Sequence, residues 1–130
     1  MQNQYQFKDQ VVVITGAGNG IGRATAIMMA ESGAHVLAGD LNHLPENQET
    51  FSRLGITEVK CDVRQEADIQ ALIDQAVQQY GQIDVLVNNA GIGMVKPIHQ
   101  VSVEEWDACI DTNLKGTFLG CKHAIRHMLA

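Results

Sequence analysis

Short apolar runs of β character alternate with helical patterns along the chain. Val11 to Thr15 precedes a helix from about Gly20 to Ser32, and His35 to Gly39 precedes a short helix around Glu46 to Leu54. Thr57 to Cys61 precedes Glu66 to Tyr80, and Ile83 to Val87 precedes a long helix from Val103. Regular alternation of this kind predicts an α/β fold, a doubly wound parallel sheet covered by helices. The third helix is the clearest: Ile69, Leu72, Ile73, Ala76, Val77 and Tyr80 share one face, while Asp68, Asp74, Gln75 and Gln78 face water. Gly33 and Gly81 stand where helices should stop, and Pro45 suits a first helical turn. Ser102 and Glu105 form a capping box that opens the last helix. The apolar positions of that helix, Trp106, Ile110, Leu114, Phe118, Cys121, Ile125 and Leu129, predict a core face, with Phe118 and Met128 able to extend it into a subunit contact. No repeat, low-complexity segment or linker divides the chain, so residues 1–130 are expected to form one domain.

Composition narrows the function classes. A chain of 130 residues with 45% hydrophobic content is long enough to bury roughly two thirds of its unfolded surface. A net charge of −6 argues against a nucleic-acid surface. The polar start, Met1 to Gln10, does not read as a signal peptide, and no apolar run is long enough to span a bilayer. No membrane or nucleic-acid partner is therefore expected, and the location expected is cytoplasmic. Cys61, Cys109 and Cys121 are odd in number and lack a C-x-x-C spacing, which predicts reduced thiols serving as small core residues. His123 and His127, four apart, lack a third ligand and read as a solvated helical face. Met28 and Met29 read as core filler, Glu104 and Glu105 as first-turn carboxylates that favour the helix dipole.

The first strand breaks at Thr15 into Gly16, Ala17, Gly18, Asn19, Gly20, Ile21 and Gly22, and then into a helix. Backbone that must curl beneath a pyrophosphate needs residues without Cβ, and the amides opening the following helix face the anion. The spacing is T-G-x-x-x-G-x-G and does not fit G-x-G-x-x-G. The second β run ends at Asp40, with Leu41 beside it, where a doubly wound nucleotide fold places the carboxylate that accepts from the adenine ribose. No Arg or Lys precedes Arg23 in the loop, and none lies between Asp40 and Phe51, so nothing offsets repulsion of a 2′-phosphate. NAD is expected over NADP. Glycine loops and strand-end aspartates also occur as ordinary turns and caps.

Thr15 with this glycine pattern, Asp62 and Val63 after the third strand, Asn88, Asn89, Ala90 and Gly91 after the fourth, and Asn113 in the last helix together resemble the short-chain dehydrogenase/reductase family. The resemblance covers essentially the whole chain. It implies a Rossmann-like sheet in the order 3-2-1-4 here, with the fifth strand not reached. It implies that the Asp62 carboxylate accepts from the adenine amine while Val63 packs on the ring, and that Asn88 ties the central strand to its neighbour. Asn89, Ala90 and Gly91 would continue the cofactor rim, although Asn-Asn-Ala-Gly alone reads equally as a turn. Asn113 with Gly116 resembles the family's N-x-x-G. There the asparagine distorts the helix and its carbonyl holds a water leading to a catalytic lysine; on its own it would be a buried amide.

The family transfers hydride between a nicotinamide and an alcohol or ketone, using a serine and a tyrosine whose pKa is lowered by a lysine four residues later. This chain has Tyr5 and Tyr80, followed at that spacing by Asp9 and Asp84, and no serine follows Ser102. The resemblance therefore implies a truncated, incomplete dinucleotide-binding domain, inactive alone and binding NAD weakly. The alternative is a noncatalytic dinucleotide-binding or dimerisation module. The fourth strand would be left as an open, hydrophobic edge, which predicts a homo-oligomer or aggregation.

Overall fold

The computed structural model describes residues 6–130. Among them, four strands form one parallel sheet: β1 (Val11–Thr15), β2 (His35–Asp40), β3 (Thr57–Lys60) and β4 (Val85–Val87), in the order β3-β2-β1-β4. Helices α1 (Gly20–Glu31), α2 (Gln48–Leu54) and α3 (Glu66–Tyr80) follow the first three strands. After β4 come α4 (Val103–Ile110) and α5 (Gly116–Met128), joined by a π-helical turn, Asp111–Lys115.

The period-2 pleat sorts β1 and β2 into two cores. Val11, Val13 and Leu37 pack beneath Ile69, Leu72 and Ile73 of α3 and Leu119 and Ala124 of α5. Val12, Ile14, Val36 and Ala38 pack on the other face, beneath Ala26 of α1 and Phe51 of α2. β1 is wholly buried, as an apolar strand covered on both sides must be. Its register sets Thr15 against Gly39 and Ile14 against Val87. The chain therefore leaves β1, β2 and β4 at one level, and the loops after them share one rim.

Boundaries move by a residue or two from the sequence reading. β2 takes in Asp40, whose carbonyl accepts from Cys61 N–H. β4 begins at Val85 because the Asp84 carboxylate accepts from Val11 N–H at 2.7 Å. The short second helix opens as a 3₁₀ turn, Pro45–Asn47, with Pro45 supplying the preset φ of its first position. Gly33, Gly55 and Gly81 follow helix ends with positive φ.

The last helix corrects the sequence reading. Trp106, Leu114, Phe118, Ile125 and Leu129 are exposed, with Leu129 at 83%. The buried ridge is Gly116, Leu119, Gly120, His123 and Ala124. Small residues four apart let α5 approach closely: a Cβ on Gly116 would lie 3.0 Å from Val63 Cγ2, and one on Gly120 would overlap Asn88 Oδ1. Large apolar side chains cannot enter so narrow a gap and are turned outward. His123 is likewise not solvated. It is 4% exposed, with Nε2 at 3.0 Å from Glu66 Oε1, which also accepts from Lys122 Nζ at 2.5 Å. His127 meets Asp74 at 3.0 Å. These contacts fasten α5 to α3. Met28 is exposed rather than core, and Cys109 and Cys121 are only half-buried, whereas Cys61 is fully buried. Among the described residues no helix is long and apolar enough to cross a membrane.

Candidate functional site

The loop after β1 is shaped by what its glycines lack. Gly20 has φ +56, and a Cβ there would meet nothing, so this side of the turn is open. A Cβ on Gly22 would overlap the Gly16 carbonyl oxygen and Asn89 Nδ2, so α1 enters against the rim only without one. The Asn19 side chain makes no cap hydrogen bond to α1, and no acidic residue occupies its first turn. The opening amides of α1 are thus left without a side-chain acceptor at the positive end of the helix dipole, the arrangement that receives an anion.

Beside this loop a chain of hydrogen bonds runs from β2 to α1. The Gly18 N–H donates to Asp40 Oδ2 at 2.8 Å, and the Asn42 N–H donates to Asp40 Oδ1 at 3.1 Å. The Gly18 carbonyl accepts from Asn47 Nδ2 at 2.6 Å, and Asn47 Oδ1 accepts from Arg23 Nε at 2.6 Å. The Asp40 carboxylate is held in one orientation, and each oxygen keeps a lone pair for a further donor.

The third side of the rim is built on Thr15. Its buried hydroxyl accepts from the Asn89 and Ala90 N–H groups, both at 3.1 Å. Asn89 Nδ2 donates to the Thr15 carbonyl at 3.1 Å and the Gly16 carbonyl at 3.0 Å. Farther round, Asn113 grips the rim loop with its amide: Oδ1 accepts from Ile92 N–H and Nδ2 donates to the Ile92 carbonyl, each at 2.8 Å. After β3, Arg64 pairs both carboxylate oxygens of Asp62, Nε to Oδ1 at 2.9 Å and Nη2 to Oδ2 at 2.8 Å. That guanidinium, chiefly through its hydrogen bonds, holds the Asp62 carboxyl below the usual carboxylate range. Burial first, and then Asp68, Asp62 and Asp40, push the Cys61 thiol up to about 12. It is a protonated, inert floor residue.

These elements enclose an open crevice of about 430 Å³ at the carboxyl ends of the strands, the place where open α/β sheets bind ligands. It is lined by Gly16, Asn19, Gly20, Ile21, Asp40, Leu41, Asp62, Val63, Asn89, Ala90 and Gly91. Among the described residues no tyrosine lines the crevice. Tyr80 stacks on His35 at the amino end of β2, centroids 4.4 Å apart, and Tyr5 lies outside the described residues.

The same architecture and motifs recur in known proteins. A family model described as short chain dehydrogenase matches residues 10–130. The chain belongs to the short-chain dehydrogenase family. It is similar to cis-4-hydroxycyclohexanecarboxylate dehydrogenase of Sinomonas cyclohexanicum, 41% identical over 128 residues, covering 95% of this chain and 51% of that protein. D-threitol dehydrogenase of Mycolicibacterium smegmatis is 37% identical over 131 residues, covering 96% and 50%. A crystal structure of a short-chain dehydrogenase/reductase described as glucose/ribitol dehydrogenase from Brucella melitensis superposes with a TM-score of 0.88 at 34% identity, covering 96% of this chain and 54% of that one. The chain spans about half the length of the curated relatives it matches.

Within this short-chain dehydrogenase frame, the eleven residues expected to hold a cofactor share the crevice wall. One expected role falls to a neighbouring residue. The tie between β4 and β1 is made by Asn89; Asn88 instead donates to Cys121 Sγ of α5 at 3.6 Å. Asp62 accepts from Arg64 on both oxygens, and Oδ2, with one donor, keeps a lone pair for another. Asn113 does sit in a distorted turn, but it is exposed, and its carbonyl accepts from Thr117 Oγ1 at 3.0 Å. Lys96 pairs with Glu105 at 2.6 Å on the surface. Sequence reasoning passed over Arg64, Thr112 and Ile92, which also line the crevice, and Asn47, which braces it.

Proposed function

We propose that residues 1–130 form the N-terminal portion of a dinucleotide-binding domain whose crevice takes NAD, in an oxidoreductase that interconverts an alcohol and a ketone. The observation that carries this reading is the Asp40 carboxylate, fixed by Gly18 and Asn42 beside the uncapped start of α1. The α1 amides suit a diphosphate, and the free lone pairs of Asp40 suit the two hydroxyls of an adenosine ribose. Leu41 and Val63 offer apolar walls to the base, and Gly16, Asn19, Gly20, Ile21, Asp62, Asn89, Ala90 and Gly91 complete the contact surface. A nicotinamide bound along the rim would supply hydride exchange. The chain's own residues bind and orient; Asn113, through Ile92, would hold the rim in place.

NAD is favoured over NADP because a 2′-phosphate would face Asp40, with a repulsion of about 4 kcal/mol for unit charges ~4 Å apart near a protein surface. The 130-residue chain is expected to be inactive alone, since it contains no Tyr-x-x-x-Lys. NADH fluorescence titration of the chain against Asp40→Ala tests the reading. NADH should bind in preference to NADPH, and the variant should lose that preference by tenfold or more. Equal preference in both proteins would refute the assignment.

A further inference from the structure

Asn47 is the least expected feature around the crevice: a polar side chain, 0% exposed, in a 3₁₀ turn between β2 and α2. Its two bonds are both 2.6 Å, one to the glycine loop that holds Asp40 and one to the first turn of α1. One holds the Gly18 carbonyl, while the N–H of the same glycine donates to Asp40 Oδ2. Gly18 is thereby fixed at both polar groups. The other bond takes Arg23 Nε. Arg23 is the first cation after the glycine turn, and it is absent from the crevice lining. The space is close: a Cβ on Gly18 would lie 2.8 Å from Asp40 Oδ2 and 3.2 Å from the Asn42 carbonyl oxygen.

We infer that Asn47 is a positioning residue for cofactor selectivity, which keeps Asp40 aimed at the ribose hydroxyls through Gly18 and draws Arg23 away from the place a 2′-phosphate would occupy. This rests on the cofactor reading above. It extends that reading from the presence of a carboxylate to the device that maintains it. An arginine released beside the 2′ position would offset the Asp40 charge and weaken discrimination against the phosphorylated nucleotide.

The test compares two probes, ADP-ribose and its 2′-phosphorylated form, by calorimetric titration of the 130-residue chain. In Asn47→Ala the affinity ratio should move at least fivefold toward the phosphorylated probe, and adding Arg23→Gln should restore it. Asn47→Gln, which keeps the amide, should move it less than Asn47→Ala. A purely structural role would weaken both probes together and leave the ratio unchanged, as would a fault in folding; an unchanged ratio overturns the inference. If the unaltered chain binds neither probe, the cofactor reading fails and takes this inference with it.

Discussion

Replacing Thr15 with valine tests the joint on which the rim is built. The hydroxyl is 3% exposed with its residue and receives two backbone N–H groups, from Asn89 and Ala90, each at 3.1 Å. The Asn89 N–H has a second acceptor, the Val87 carbonyl at 3.0 Å, so valine leaves chiefly the Ala90 N–H unpaired. An unsatisfied buried donor costs about 1–3 kcal/mol, and the extra apolar methyl returns about 0.8 kcal/mol at most. The net loss should be about 1–2 kcal/mol. In urea, with a slope near ~1.5 kcal/mol/M, the midpoint should fall by about 1 M at unchanged slope. Thr15→Ser keeps the hydroxyl and loses only a buried methyl, about 0.8 kcal/mol. The two variants should separate on ligand binding: ADP-ribose affinity should survive in serine and fall several-fold in valine, because the Asn89–Gly91 turn is no longer held against β1. A valine variant as stable as the parent and equal to it in ADP-ribose affinity would refute the claim that this hydroxyl organises the rim.

Three further outcomes are expected. Gly22→Ala should destabilise the chain by about 2 kcal/mol or more, since its methyl must displace the Gly16 carbonyl or the Asn89 amide; thermal melting reads this, and an unchanged midpoint would contradict the packing. Glu66 is held below its ordinary value of 4.5 by hydrogen bonds from Lys122 and then His123. Its contribution is therefore present above that value and is lost as pH falls through it toward the lower folded pKa. Stability of the parent relative to Glu66→Gln should be level near neutrality and shrink below about pH 4.5, and an advantage that grew with acid would reverse the argument. Light scattering at micromolar concentration should detect dimers or larger species, given the unpaired flank of β4 and the exposed Trp106, Leu114 and Phe118; a clean monomer would dismiss self-association.

What could be read from sequence follows from the range of the forces involved. The strands and α3 were legible because period-2 and period-3.6 burial are local patterns. Val11–Thr15 is apolar at every position but its end, and Ile69, Leu72, Ile73 and Ala76 fall on one helical face. The positions of the glycine turn and of Asp40 were legible for a related reason, since both lie within one β-α-β stretch. The capping box at Ser102 and Glu105 is a four-residue motif and is present in full.

What escaped was set by partners distant in sequence. Asn47 reads as an ordinary polar residue of a short helix until Gly18, 29 positions away, is placed beside it. Arg64 is the local exception: its partner Asp62 is only two positions away, yet nothing in that spacing says that the guanidinium turns back onto the crevice wall. The α5 face shows the cost of weighting residues by size. A stripe of Trp106, Leu114, Phe118 and Ile125 carries the largest apolar area, yet helix-to-sheet distance is set by the smallest side chains that fit. Gly116 and Gly120 bring α5 against Val63 and Asn88. Once that ridge is seated, the helix has no rotation left that buries the large residues against its own sheet. Their burial then requires surface from outside these 130 residues, so substitutions at Trp106 or Phe118 should alter the light-scattering result and leave ADP-ribose titration unchanged, since neither residue lines the crevice.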